Sequence, residues 1–240
     1  MNNTQLQIKF QQRLNKLASD DYDNIECWQM IEAFNKAQLM WCRRQLHGTN
    51  MHKEGDERSK KRIDDLQILL INQPLINGTD QGDFISYSGT NFPDDYLEYK
   101  RVSAEAFTDC CPIKADAARS MTVYLAEEAD VDLIMRDTLK RPDFEWGETF
   151  CTMRSNTIRI YKRDFDIYKA ALTYYRNPRR IEINGCTDPI TKYPFVADVE
   201  CEFKDDVAEI ILDEAVAILA GDINDINTYT RENQSVEKNN

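Results

Sequence analysis

The run Asp206-Val207-Ala208-Glu209-Ile210-Ile211-Leu212-Asp213-Glu214-Ala215-Val216-Ala217-Ile218-Leu219-Ala220-Gly221 decides how the whole chain is read. Asp206, with Glu209 three residues on, forms an acidic version of the capping box that opens a helix. Val207, Ile210, Ile211, Ala215, Ile218 and Leu219 recur at helical spacing, and Ala208, Leu212 and Val216 spread the apolar surface most of the way round. A helix apolar on several sides is buried on several sides. Gly221 suits a left-handed helix end, and Thr230 to Asn240 is polar and reads as a frayed tail. The partners of this helix do not lie just before it, because that part of the chain reads as strands.

Met121, Val123 and Leu125 alternate with Thr122, Tyr124 and Ala126; Leu97 and Tyr99 open a second alternating run. Tyr168, Ala170, Leu172 and Tyr174 form one face of a third, which ends before Pro178, Arg179 and Arg180. Two β-rich runs between Thr149 and Lys162 flank Ser155-Asn156, where Asn supplies the positive φ of a tight hairpin. A short helix from Val131 to Leu139 interrupts the strands before Pro142.

The partners come from the other end of the chain. Leu6, Phe10, Leu14 and Leu17 predict a helix over 4–17, and Ser19-Asp20-Asp21 breaks it and offers caps. A longer helix is expected over 24–46, with Cys27, Met30, Ile31, Phe34, Ala37 and Trp41 on one face, widened by Trp28, Leu39 and Cys42. Gly48 ends it. A third is expected over 54–71 with Ile63, Leu66 and Leu70 inside. Pro74 and Gly78 then mark the change to strands. The expectation is an α+β fold, a helical core carrying an inserted β-rich domain. Residues 1–78 supply the N-terminal helical part, 79–198 the insert, and 199–240 the closing helix and tail.

Charge divides along the same lines. The chain of 240 residues carries a net −12. Residues 1–78 contribute +1, residues 79–197 contribute −4, and residues 198–240 contribute −9. A protein that grips nucleic acid shows a large basic surplus somewhere, and this one does not. The acidic C-terminal part is either a solvated surface or an interaction surface. Arg58 to Arg62 is a local basic patch, an exposed helix turn or a contact to phosphate.

No apolar run approaches a membrane span, and no secretory signal is visible, so a soluble chain folded in a cytosol is expected. The seven cysteines, Cys27, Cys42, Cys110, Cys111, Cys151, Cys186 and Cys201, are then expected as reduced, mostly buried thiols. No Cys-x-x-Cys pair exists to hold zinc, and His47 and His52 lie far from most of the cysteines. Phosphate-loop, dinucleotide and nucleophile-elbow motifs are missing. The acidic pairs, from Asp20-Asp21 to Asp205-Asp206, read as caps and solvated corners. The expectation is a protein without cofactor or catalytic residues.

Several segments together resemble head–tail adaptor proteins of tailed phages, particularly the ring proteins of crAss-like phages. They are Phe34 to Arg44, Phe92-Pro93-Asp94-Asp95-Tyr96-Leu97, Pro142 to Trp146 with Thr149, Ile160-Tyr161, Ala171 to Pro178, Cys201-Glu202-Phe203 and Asp206 to Asp225. They occur in order and span most of the chain. The resemblance implies a virion protein, made in the host cytoplasm, that forms a closed ring of about twelve copies. Its partners would be the portal protein and further neck or tail rings, with DNA passing through the bore. The wide apolar stripes and their neighbours nominate Trp28, Trp41, Arg43, Arg44, Ile211 and Ile218 for subunit or portal contacts. Asp222 and Asp225 are nominated to face the channel. Another neck, tail or baseplate subunit is the alternative, and a metal-dependent enzyme acting on nucleic acid is a further one.

Overall fold

The closing helix does find its partners at the far end of the chain. The computed structural model describes residues 1–14, 25–48, 60–89, 92–108, 118–188, 191–222 and 226–239. The fold is α+β, with helices from both chain ends and a large curled mixed sheet between them. Two compact units emerge: Met1–Leu69 with Pro178–Asn240, and Leu70–Asn177.

In the helical unit, α1 (Asn3–Leu14) buries Leu6, Phe10 and Leu14, the stripe its spacing announces. Residues 15–24, with Leu17 and the expected Ser19-Asp20-Asp21 caps, lie outside the described residues. α2 (Cys27–His47) starts instead at Glu26, which forms a capping box with Gln29, and ends at Gly48 in the left-handed region, φ 67°. α3 (Lys60–Leu66) ends five residues before the expected Ile71 and leaves Ile63 exposed, and residues 54–59, where the expected helix begins, lie outside the described residues. A turn of 3-10 helix, Gln67–Leu69, then leads straight into a strand. Leu70 therefore belongs to the sheet, not to the third helix.

α5 (Asp205–Asp222) buries Val207, Ala208, Ile211, Leu212, Ala215 and Val216. Asp205 and Asp206 sit in its first turn, so the helix starts one or two residues earlier than the capping-box reading places it. Gly221 is not a left-handed terminus, because it lies inside the helix. There its missing side chain admits the Tyr229 ring, 3.3 Å from where a Cβ would stand. The segment expected to fray forms α6 (Ile226–Asn239), which packs on α5 and buries Glu232 and Val236.

Residues 178–203 also belong to this unit, although they have little regular structure. Asn35 on α2 acts like a strand neighbour. Its amide donates to the Ile181 carbonyl at 3.3 Å and its oxygen accepts from the Ile181 N–H at 2.8 Å. Asn3 donates to the Glu182 carbonyl and to Asp198. Phe203 meets Trp41 edge-on, centroids 5.2 Å apart. This segment also corrects the thiol expectation: Cys27 and Cys186 are disulfide-paired, with Cα atoms 5.9 Å apart. Cys42, Cys151 and Cys201 are buried, and Cys110 and Cys111 lie outside the described residues.

The β unit holds one eight-stranded sheet in the order β1-β8-β4-β5-β6-β7-β3-β2. The strands are β1 (Leu70–Leu75), β2 (Thr79–Asp80), β3 (Phe84–Ser88), β4 (Tyr96–Phe107), β5 (Arg119–Leu125), β6 (Glu148–Arg154), β7 (Thr157–Tyr161) and β8 (Asp166–Arg176). β1 and β2 are the two edges, yet only residues 76–78 separate them, so the sheet must curl until its edges approach. Gly78 permits that approach, since a Cβ there would stand 2.5 Å from Ile85 and 2.6 Å from Tyr87. The concave side holds a core of Leu75, Ile85, Val102, Met121, Ile160 and Leu172, among others. Pro74 is tolerated because β1 is an edge.

Two expectations shift inside this sheet. Tyr168 is not on the inner face with Ala170, Leu172 and Tyr174. The pairing jumps from Glu105↔Lys169 to Ala106↔Ile167, and this bulge turns Tyr168 outward. In the β6–β7 hairpin it is Ser155, not Asn156, that takes the positive φ of 50°.

Candidate functional site

β5 and β6 run parallel, so the chain must cross back over the sheet between them. That crossover carries α4 (Val131–Arg136), whose Val131, Ile134 and Met135 are half-buried while Leu133 is exposed. Asp143 and Glu148 form a bridge that returns the chain to β6, and the Arg119 guanidinium donates to the Phe144 carbonyl. Glu128 pairs with Arg159 of β7 at 2.9 Å. The result is a fixed outer layer with large apolar side chains in solvent: Leu133 is 67 % exposed, Leu139 81 % and Trp146 74 %. Tyr124 and Leu125, at the end of β5, are half exposed. Sequence reasoning assigned Tyr124 and Leu125 to a strand and Leu133 and Leu139 to a short helix, but periodicity does not say which apolar side chains of so short an element stay in solvent. The legible signal of this surface is composition, large apolar residues set among the eight acidic and three basic side chains of residues 127–148.

A groove of about 730 Å³ opens elsewhere on this unit, beside β1, β4 and β8. Leu75, Ile76 and Tyr168 supply its apolar lining, and Glu105 and Lys169 cross it as an ion pair at 3.5 Å. Nearby polar groups are used structurally. Lys162 is clamped by Asp80 at 2.6 Å and Asp166 at 2.5 Å; burial opposes its charge, but the two carboxylates hold its pKa above the usual lysine value. Tyr174 is pushed up to about 12 by burial and by its hydrogen bond to Asp95. Burial raises the Cys151 thiol to about 11, so it stays protonated and inert.

The residues nominated for interfaces divide sharply. Trp41 is 1 % exposed and Ile211 is fully buried, both inside the helical unit, so neither can reach another subunit. Arg44 is spent internally, its guanidinium 2.6 Å from the buried Glu214. Ile218 and Trp28 are half-buried, and the Trp28 indole N–H donates to Glu26. Only Arg43 is exposed. Asp222 is exposed at the end of α5, and Asp225 lies outside the described residues. The basic patch is described in part, with Lys60 and Lys61 exposed at the start of α3.

The chain matches no family model and no curated protein.

Carboxylates do gather on one side of α5, in a network that binds helices together. Arg13 reaches Glu209 at 2.5 Å and Asp213 at 2.9 Å, Ser235 donates to Asp213 at 2.8 Å, and Arg231 donates to the Arg13 carbonyl. Burial raises the Asp213 pKa against the pull of Arg13, and raises Glu214 against Arg44. Glu209 goes the other way: burial opposes its charge, but Lys9 and Arg13 together hold it below the usual range. Such a chain of pairs welds α1, α5 and α6. Among the described residues no group of three His, Cys, Asp or Glu side chains could hold a metal ion. No described helix is long and apolar enough to cross a membrane.

Proposed function

We propose that this chain is a structural, non-enzymatic subunit of a closed ring at the head–tail junction of a tailed phage. In this reading the ring docks below the portal, and DNA passes through its bore. The observation that carries it is the ordered resemblance of segments from Phe34 to Asp225 to adaptor ring proteins. The exposed Leu133, Leu139 and Trp146, all carried by the crossover between β5 and β6, support an assembled state in which a partner covers them.

Quantifying the protein by mass spectrometry in purified particles, relative to the portal subunit, tests the reading. A copy number close to the portal's is expected, and absence from the particle overturns it. The acidic C-terminal part then has a role in the bore, where like charge lets DNA slide without sticking. Reversing Asp222 and Asp225 to lysine is expected to slow DNA ejection. Unchanged retention and ejection would remove that role.

A further inference from the structure

We propose that copies of this chain join head to tail, the acidic crossover between β5 and β6 of one copy seating on the outward face of α2 of the next. This rests on the reading of the chain as a ring subunit. The crossover is a preformed surface, fixed on the sheet by the half-buried side of α4, the Asp143–Glu148 bridge and the Glu128–Arg159 pair. Its exposed large apolar side chains are Leu133, Leu139 and Trp146. The segment that carries them, residues 127–148, has a net charge of −5. A polyanion such as nucleic acid is repelled by that charge, so the occupant is a protein face with apolar contacts and a basic rim.

The same chain supplies one. Lys36, Met40, Arg43 and His47 follow each other at spacings of four, three and four, which places them on one stripe along α2. All four are exposed, while the opposite side of the helix is buried. Met40 adds an adaptable apolar contact between basic side chains. At the N-terminal end of the stripe Glu32 is neutralised by Arg180, so the stripe presents positive charge. The crossover and the stripe are different surfaces, so one copy can offer each of them to a different neighbour. Paired in that heterologous way the contact propagates from copy to copy and makes a ring when its rotation closes, whereas reciprocal pairing of both surfaces between two copies would stop at a dimer.

Sedimentation velocity on the full chain across a concentration series tests this. The variants are Lys36→Glu with Arg43→Glu, and Glu127→Lys with Asp132→Lys and Glu145→Lys, which takes residues 127–148 from −5 to +1; all five positions are exposed, so circular dichroism and melting are expected to match the wild type. The wild type is expected to self-associate, and each variant alone to remain monomeric. Mixing the two variants restores opposite charge at every junction, so assembly is expected to return. A wild type that stays monomeric throughout, assembly that ignores either charge swap, or a mixture that fails to recover overturns the proposal. Cross-links in purified particles from the crossover to a different polypeptide also overturn it. The copy number in particles is a separate measurement. A portal-like copy number with assembly indifferent to the swaps leaves the ring reading standing and removes only this interface.

Discussion

Arg44 illustrates how one side chain can be misread from its pattern alone. It follows Arg43 on α2, and the two look alike in sequence, but a rotation of about 100° around the helix axis separates solvent from interior. Arg44 faces Glu214, which is 4 % exposed and whose charge it compensates. Arg44→Ala strands a buried carboxylate and is expected to destabilise the protein by about 3 kcal/mol, the usual cost of breaking such a pair. Arg44→Met with Glu214→Leu, which removes both charges and keeps the volume, is expected to recover most of that loss. Thermal or urea melts of the two variants check it, and an Arg44→Ala variant as stable as wild type contradicts the role. Arg43→Ala, on the exposed face, is expected to change stability by less than about 0.5 kcal/mol.

Elements were legible wherever a single period ran long enough. Leu6, Phe10 and Leu14 lie inside as their spacing predicts, and the core side of α2 is the predicted face with Gln38 and Gln45 added. The misses have local physical causes. The bulge at Tyr168 reverses a face that alternation assigns. α6 hides because part of what it buries is charged, Glu232 held by Arg231, and a hydrophobic stripe is what periodicity detects. Cys27 and Cys186 lie 159 residues apart, so nothing in their spacing announces the pair. That staple ties the irregular segment after Pro178 to the start of α2. Adding reductant to oxidised wild type is expected to lower its stability by about 2–4 kcal/mol. Cys186→Ser should melt lower and show no response to reductant. A wild-type melt insensitive to reductant excludes the staple.

On α5 itself, two carboxylates one turn apart carry opposite pH signatures. Glu209 has a depressed folded pKa, so its stabilisation is present above the ordinary glutamate range and is lost as pH falls through its folded value. Asp213 has a raised folded pKa, so the native state binds its proton more tightly than the unfolded chain does. Its contribution therefore weakens as pH rises from the ordinary aspartate range through the folded value. Glu209→Gln is expected to lose more stability, relative to wild type, at neutral pH than at pH about 3. For Asp213→Asn, the stability difference from wild type should move in the variant's favour over the same rise. Calorimetric melts across that range check both; parallel curves for the two variants would contradict the assignment.

At the scale of the molecule, the insertion was legible because two apolar helical ends flank a region of period two. Its limits were not. The expected insert, 79–198, and the compact unit, 70–177, differ because a helical reading of 54–71 conceals β1, and because 178–203 follows the helices without being helical. The interface residues fared worse for a related reason. Width of an apolar stripe reports burial, and sequence does not say whether the burial is within the chain, as for Trp41 and Ile211, or against another chain.

The division at 70 and 177 has a consequence that can be measured. β1 and β8 begin and end the unit side by side, with Leu70 paired to Tyr175. The chain thus enters and leaves the sheet at one place, and a short Gly-Ser linker can span the gap left by excision. The remaining helical unit keeps its own core, Trp41 on Phe203, and its own ties, Asn35 to Ile181 and Arg13 to Glu209 and Asp213. A chain of 1–69, linker and 178–240 is expected to show a helical far-UV spectrum and a cooperative melt. Trp41→Ala in that background removes a fully buried aromatic and is expected to cost about 3–5 kcal/mol, enough to abolish the transition in so small a unit. A non-cooperative, largely unfolded excision product would instead mean that the helical unit draws its stability from the sheet it carries, and that the two fold as one block.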